Sequence, residues 1–183
     1  MPLTVAIIGA GPLGRQLALS AARAGCRVFL EDVMPMNLEH ARETLRRELN
    51  ADVLSREPGG GVAFVSTIEE AVREADLAID CVPDELESKL EILWLLDRMS
   101  PPRTVFATPT TQLSIADLGE CTYRAEKCIA IAASPVELAG LAANAGAEIV
   151  LRAAEATAPE TVTLVTEFWQ RLGFAPTVRG LDS

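Results

Sequence analysis

Val5-Ala6-Ile7-Ile8-Gly9-Ala10-Gly11-Pro12-Leu13-Gly14 decides the fold of this chain. Four apolar residues in a row read as a strand buried on both faces. Three glycines in a G-x-G-x-x-G pattern follow at once, and the stretch after them predicts a helix over 12–24. Each glycine has its own physical task. Gly9 permits the tight turn out of the strand, Gly11 lets backbone approach a pyrophosphate, and Gly14 lets the helix settle against the strand. Phosphates then sit at the helix N-terminus, where free N–H groups and the helix dipole favour anions. Pro12 and Leu13 open that helix and belong to the same turn.

Beyond the helix come Gly25 and a second apolar run, Val28-Phe29-Leu30, ending in Glu31-Asp32. An acid at the end of the second strand is where a ribose 2′-hydroxyl would be held, and Asp32 lies 18 residues beyond Gly14. Its charge would repel a 2′-phosphate, which favours NAD over NADP. Arg42, Arg46 and Arg47 fall on the next helix, well past the strand end.

The rest of the chain alternates apolar runs with amphipathic ones. That alternation implies an α/β fold of Rossmann type: a doubly wound, mainly parallel sheet with helices on both faces, in a single domain over 1–183. Strands are predicted at 4–8, 27–31, 62–65, 77–81, 104–107, 128–132, 147–151 and 175–178. Helices are predicted at 12–24, 36–50, 68–75, 85–99, 114–120 and 159–172. The segment Arg56 to Gly61 reads as a loop, Pro101-Pro102 stops a helix, and Pro159 starts the last one. The Ala-rich stretch 138–147 contains Gly140, Asn144 and Gly146, and its conformation stays open. Helix 85–99 carries apolar residues well round its cylinder, a surplus covered either by a neighbouring helix or by a partner chain.

Composition excludes several classes. With a net charge of -10 the chain lacks the basic surface that a nucleic-acid backbone requires. No apolar run reaches membrane-spanning length, and neither a signal peptide nor a membrane partner is expected, so the expected location is cytoplasmic. Cys26, Cys81, Cys121 and Cys128 lack metal-type spacing and read as free thiols in a reducing compartment; no metal site is expected. The one histidine, His40, lies on a charged helix among Glu39, Arg42 and Glu43 and reads as part of a solvated face.

Two further stretches carry a family resemblance. Ala78-Ile79-Asp80-Cys81-Val82-Pro83-Asp84-Glu85-Leu86-Glu87-Ser88-Lys89 and Thr104 to Ile115 resemble the NAD-binding domain of the 3-hydroxyacyl-CoA dehydrogenase family, and the likeness runs along almost the whole chain. It implies a cofactor site in which Val82, Pro83, Asp84 and Lys89 serve the nicotinamide-ribose side. Thr111 matches a family serine whose hydroxyl contacts cofactor and substrate, and Ser134 matches an asparagine near the nicotinamide. It also implies a role in fatty acid metabolism, acyl-CoA as a possible substrate, and a homo-oligomer or partner chain over the open face.

The sequence departs from the family on the substrate side. Pro109 stands at an asparagine position and so lacks both a side-chain amide and a backbone donor. Cys128-Ile129-Ala130-Ile131-Ala132-Ala133-Ser134-Pro135 stands where the family has Gly-Leu-His-Phe-Phe-Asn-Pro, so the catalytic histidine is replaced by alanine or isoleucine. Glu148 matches the glutamate that partners that histidine only if the Ala-rich stretch is an insertion. The family's helical substrate domain is not expected in this single-domain chain, since no stretch through Ser183 matches it. Two readings therefore stand: an NAD(H)-binding protein that does not turn over substrate, or an NAD-dependent oxidoreductase in which Thr111, Glu137, Glu148 or a partner's residue replaces the base.

Overall fold

A computed structural model describes residues 2–49, 61–144 and 146–180. Eight strands form one sheet: β1 (Thr4–Ile8), β2 (Arg27–Glu31), β3 (Gly61–Val65), β4 (Leu77–Asp80), β5 (Val105–Pro109), β6 (Cys128–Ile131), β7 (Glu148–Arg152) and β8 (Ala175–Arg179). Their order is β3-β2-β1-β4-β5-β6-β7-β8. The first six strands are parallel and follow the dinucleotide-binding order 3-2-1-4-5-6. β7 runs antiparallel to β6 and parallel to β8, a reversal not foreseen from the alternating pattern.

The helices are α1 (Pro12–Arg23), α2 (Pro35–Glu48), α3 (Ile68–Val72), α4 (Leu86–Met99), α5 (Ile115–Glu120), α6 (Pro135–Ala142) and α7 (Pro159–Arg171). Local chemistry sets their starts: Pro occupies the first turn of α1, α2, α6 and α7, and the side chains of Thr67, Ser114 and Ser134 cap α3, α5 and α6. α6 corrects the open reading of the Ala-rich stretch. Its first part is a helix nucleated by Pro135 and the Ser134–Glu137 capping box, with Gly140 carried inside it. The expected loop at 56–61 lies outside the described residues except for Gly61, which begins β3.

The sheet separates two apolar cores. α1, α2, α6 and α7 cover one face through Leu13, Leu17, Leu45, Leu138, Phe168 and Trp169. α3, α4 and α5 cover the other through Val72, Leu93, Leu96 and Leu118. The apolar surplus of α4 is only partly covered: Leu86, Trp94 and Met99 stay exposed, and the Arg98 guanidinium lies 4.7 Å from the Trp94 ring centre. Among the described residues no helix is long and apolar enough to cross a membrane. The four cysteines are free, and His40 is exposed on α2.

Candidate functional site

Strand order reverses between β1 and β4, and a crevice opens outside the carboxyl ends of strands at such a switch point. The glycine turn lies there. Gly9 has φ +105° and donates its N–H to the Glu31 carbonyl at 2.8 Å, so the turn out of β1 is tied to the end of β2. A Cβ on Gly14 would stand 1.8 Å from the Gly9 carbonyl oxygen, which shows how closely α1 crosses the turn. A Cβ on Gly11 would meet nothing within 4 Å. Gly14 is therefore required by packing, whereas Gly11 faces open space that a phosphate can enter. Pro12 is exposed and has no N–H; Leu13 is buried in the core, so it offers the site only its backbone. The N–H groups of Leu13 and Gly14 lie in the first turn, where no intrahelical carbonyl reaches them. Arg15, absent from the sequence reading, donates from Nη1 to the Ala10 carbonyl at 3.0 Å and brings a positive charge to the turn.

At the end of β2, Asp32 organises the backbone around it. Its Oδ2 accepts from Ala10 N at 2.9 Å and from Asn37 Nδ2 at 3.0 Å, while Oδ1 accepts from Met34 N at 2.8 Å. It is buried, and these bonds fix its orientation. Glu31, which sequence reading passed over, is 3% exposed, and its Oε1 has no hydrogen-bond partner among the described residues. Burial and the neighbouring Asp32 charge push its carboxyl up to about 7.

β4 ends in a second buried acid. Asp80 accepts from Lys89 Nζ at 2.6 Å, and both side chains are fully buried. Lys89 also donates to the Val82 carbonyl at 3.3 Å. The structure thus places Lys89 inside the protein, fastening α4 to the turn after β4. Burial raises the Asp80 carboxyl and the Lys89 ammonium opposes that rise. Cys81, one residue on, lies where Gly9 crosses the switch point, its Cβ 3.6 Å from a Cβ built on that glycine. Its thiol is pushed up, mainly by burial, so it is not a nucleophile at neutral pH. Val82 and Pro83 line the exposed turn that leads to Asp84.

The loops after β4, β5 and β6 meet at Asp84. Its Oδ2 accepts from Thr111 N at 3.0 Å and lies 3.4 Å from Thr111 Oγ1, while Oδ1 is buried without a partner among the described residues. Arg152, also missed from sequence, reaches in from the reversed strand β7. Its Nη2 donates to the carbonyls of Thr110 at 2.9 Å and Leu113 at 3.3 Å, clamping the loop that presents Thr111. On the β6 side, Ser134 N and Oγ both donate to Glu137 Oε2 at 2.8 Å. These bonds hold the Glu137 carboxyl below its ordinary range, against the opposing charge of Asp84, which leaves it a weaker base. Glu148 is exposed at the start of β7 and accepts from Thr177 Oγ1 of β8 at 2.9 Å. The structure brings Asp84, Thr111, Ser134 and Glu137 together and directs Glu148 to the outer pair of strands.

The arrangement fits a dinucleotide: an open cradle at Gly11, backbone donors at the start of α1, an oriented acid at Asp32, and a polar cluster beyond the switch point. Residues 4–180 match the family described as 3-hydroxyacyl-CoA dehydrogenase, NAD binding domain. The chain is 30% identical over 138 residues to a probable 3-hydroxybutyryl-CoA dehydrogenase of Bacillus subtilis, covering 68% of this chain and 46% of that protein. It is 30% identical over 180 residues to 5-formyl-3-hydroxy-2-methylpyridine 4-carboxylate 5-dehydrogenase of Mesorhizobium japonicum, covering 95% of this chain and 56% of that one. A crystal structure of a 5-dehydrogenase acting on the corresponding acid, described as an NAD+ dependent dismutase, superposes with a TM-score of 0.80 at 28% identity, over 98% of this chain and 58% of that chain. The chain thus spans about half the length of the curated relatives it matches.

Proposed function

The chain belongs to the 3-hydroxyacyl-CoA dehydrogenase family through its NAD-binding domain, and on that premise we propose that it holds NAD(H) without itself supplying the base for hydroxyacyl dehydrogenation. One observation carries the second half of this reading. The only histidine of the chain, His40, is exposed on α2, whereas the loops that meet beyond the switch point follow β4, β5 and β6. A positioned general base typically contributes about 100- to 10,000-fold. The groups present there are engaged otherwise: Glu137 is held by Ser134 and made less basic, and Thr111 is hydrogen-bonded to Asp84.

NAD, when bound, supplies the hydride acceptor. The turn at Gly9, Gly11 and Gly14 receives the pyrophosphate on the backbone of Leu13 and Gly14, Arg15 adds positive charge, and Asp32 orients the adenosine ribose. Asp84 and Thr111 serve the nicotinamide side, in reach of Ser134. Lys89 acts from beneath, by fixing the Val82 carbonyl and hence the turn to Asp84. The free thiols favour a cytoplasmic location.

A second reading is favoured by the buried, unpartnered Oδ1 of Asp84. In it Asp84 takes a proton through the Thr111 hydroxyl, and the chain oxidises a 3-hydroxyacyl-CoA. Calorimetric titration with NADH, followed by NADH oxidation with acetoacetyl-CoA, separates the two. The expected result is saturable binding and a rate equal to that of buffer. Turnover abolished by Asp84→Asn would establish the second reading; titration without heat would overturn both.

A further inference from the structure

Two acids end β2, and they face opposite sides of the sheet. Val28 and Leu30 belong to the core under α1 and α2, while Phe29 packs on the side of α3 and α4. Strand alternation puts Glu31 on the Phe29 side. Its register partners are Ile8 of β1 and Val65 of β3, both apolar. Across Ile8 on the same face comes Asp80, already paired with Lys89. α3 brings Glu69 and Glu70 to this side, both exposed, and Arg27, Arg73 and Glu74 line the same groove beside Phe29 and Val65. Among the described residues no cation offsets Glu31, whose proton affinity is governed by its burial and by Asp32.

Three bonds from the protein's own N–H groups fix the orientation of Asp32. Glu31 is the opposite case, 3% exposed with an unpartnered Oε1. A dinucleotide anchored at Gly11 and Asp32 covers the end of β2, removing the remaining water from Glu31 and adding phosphate charge. Both changes favour the neutral acid.

We propose that Glu31 is a further residue of the dinucleotide site: the adenosine half of NAD(H) closes over it, it is a neutral carboxylic acid in the complex, and binding takes up a proton there. This rests on the assignment of NAD(H) to the crevice. A group half-protonated near pH 7 in the free protein and fully protonated in the complex takes up about half a proton at pH 7 and nearly one at pH 8. Affinity for NADH then falls about fivefold from pH 7.0 to pH 8.0.

The test is NADH titration by calorimetry at pH 7.0 and 8.0, in two buffers of different ionisation enthalpy, with the native chain and Glu31→Gln. Glutamine keeps the shape and removes the titration. The native chain should show the uptake just given, and Glu31→Gln should bind with uptake near zero and with affinity unchanged between the two pH values. Equal uptake in both proteins, or binding by the native chain without uptake, overturns the proposal while leaving the NAD(H) site intact. Absence of binding heat from the native chain overturns the site itself. Circular dichroism and a denaturation curve confirm that Glu31→Gln is folded before it is titrated.

Discussion

Substituting alanine separately at Gly14 and Gly11 should split stability from binding. At Gly14 the new Cβ would lie 1.8 Å from the Gly9 carbonyl oxygen and 3.0 Å from its carbon. The obstructing atoms are backbone, in a turn held at φ +105° and tied by a 2.8 Å bond to Glu31, so no rotamer change relieves the clash. Either α1 moves off the sheet or the turn breaks. Overpacking typically costs about 1–3 kcal/mol, and a backbone obstruction belongs at the upper end. For a chain of this length ~3 kcal/mol lowers Tm by about 6–12 °C. At Gly11 a Cβ meets nothing within 4 Å and φ is -67°, so alanine fits the free protein and stability should stay within about 0.5 kcal/mol. Its methyl instead enters the space assigned to pyrophosphate, and NADH affinity should fall at least about tenfold, a loss of about 1.4 kcal/mol. Urea denaturation and NADH titration of both variants read the two effects. A Gly14→Ala protein as stable as the native chain, or a Gly11→Ala protein with native affinity, would refute the assignment of one glycine to packing and the other to phosphate.

Two more outcomes follow from buried charge. Lys89→Met leaves the fully buried Asp80 without its ammonium and should cost about 3–5 kcal/mol in a denaturant titration, much of it recovered when Asp80→Asn is added; an equal loss in the double variant would show that packing of the lysine stem, rather than charge, is at stake. Glu31 has its folded-state proton affinity raised to about 7 from 4.5, so the folded chain holds the extra proton between those values and stability falls as pH rises through that window, then levels. Glu31→Gln should therefore match the native chain near pH 4.5 and exceed it by up to about 3 kcal/mol above pH 7, measured by denaturation across that range. A constant difference at all pH values would contradict the burial of the carboxyl.

Much of the fold is legible in the sequence because its signals are local. A buried parallel strand announces itself as an unbroken apolar run, as in Leu77-Ala78-Ile79, and a helix start by Pro or a capping hydroxyl. The stretch that forms α6 is ambiguous in sequence because alanine, glycine and asparagine carry weak and conflicting preferences there; the Ser134-Pro135-Val136-Glu137 box is the signal that resolves it. The reversal of β7 has no local signature, since an apolar run reads the same in either direction. Arg152 depends on that reversal: its reach to Thr110 and Leu113 exists only because β7 runs against β6.

The site divides in the same way. The glycine spacing and Asp32 by themselves predict where a dinucleotide goes, because a phosphate cradle needs small residues at set intervals along one continuous turn. What each charged group does there was decided by tertiary structure. Lys89 is expected at the cofactor by position and is buried against Asp80; Glu31 reads as a bystander to Asp32, yet its Oε1 is buried without a partner among the described residues. Charge is written in the residue type, but its protonation and its partner depend on burial and on which strands become neighbours, and those arise only when distant segments pack into one sheet.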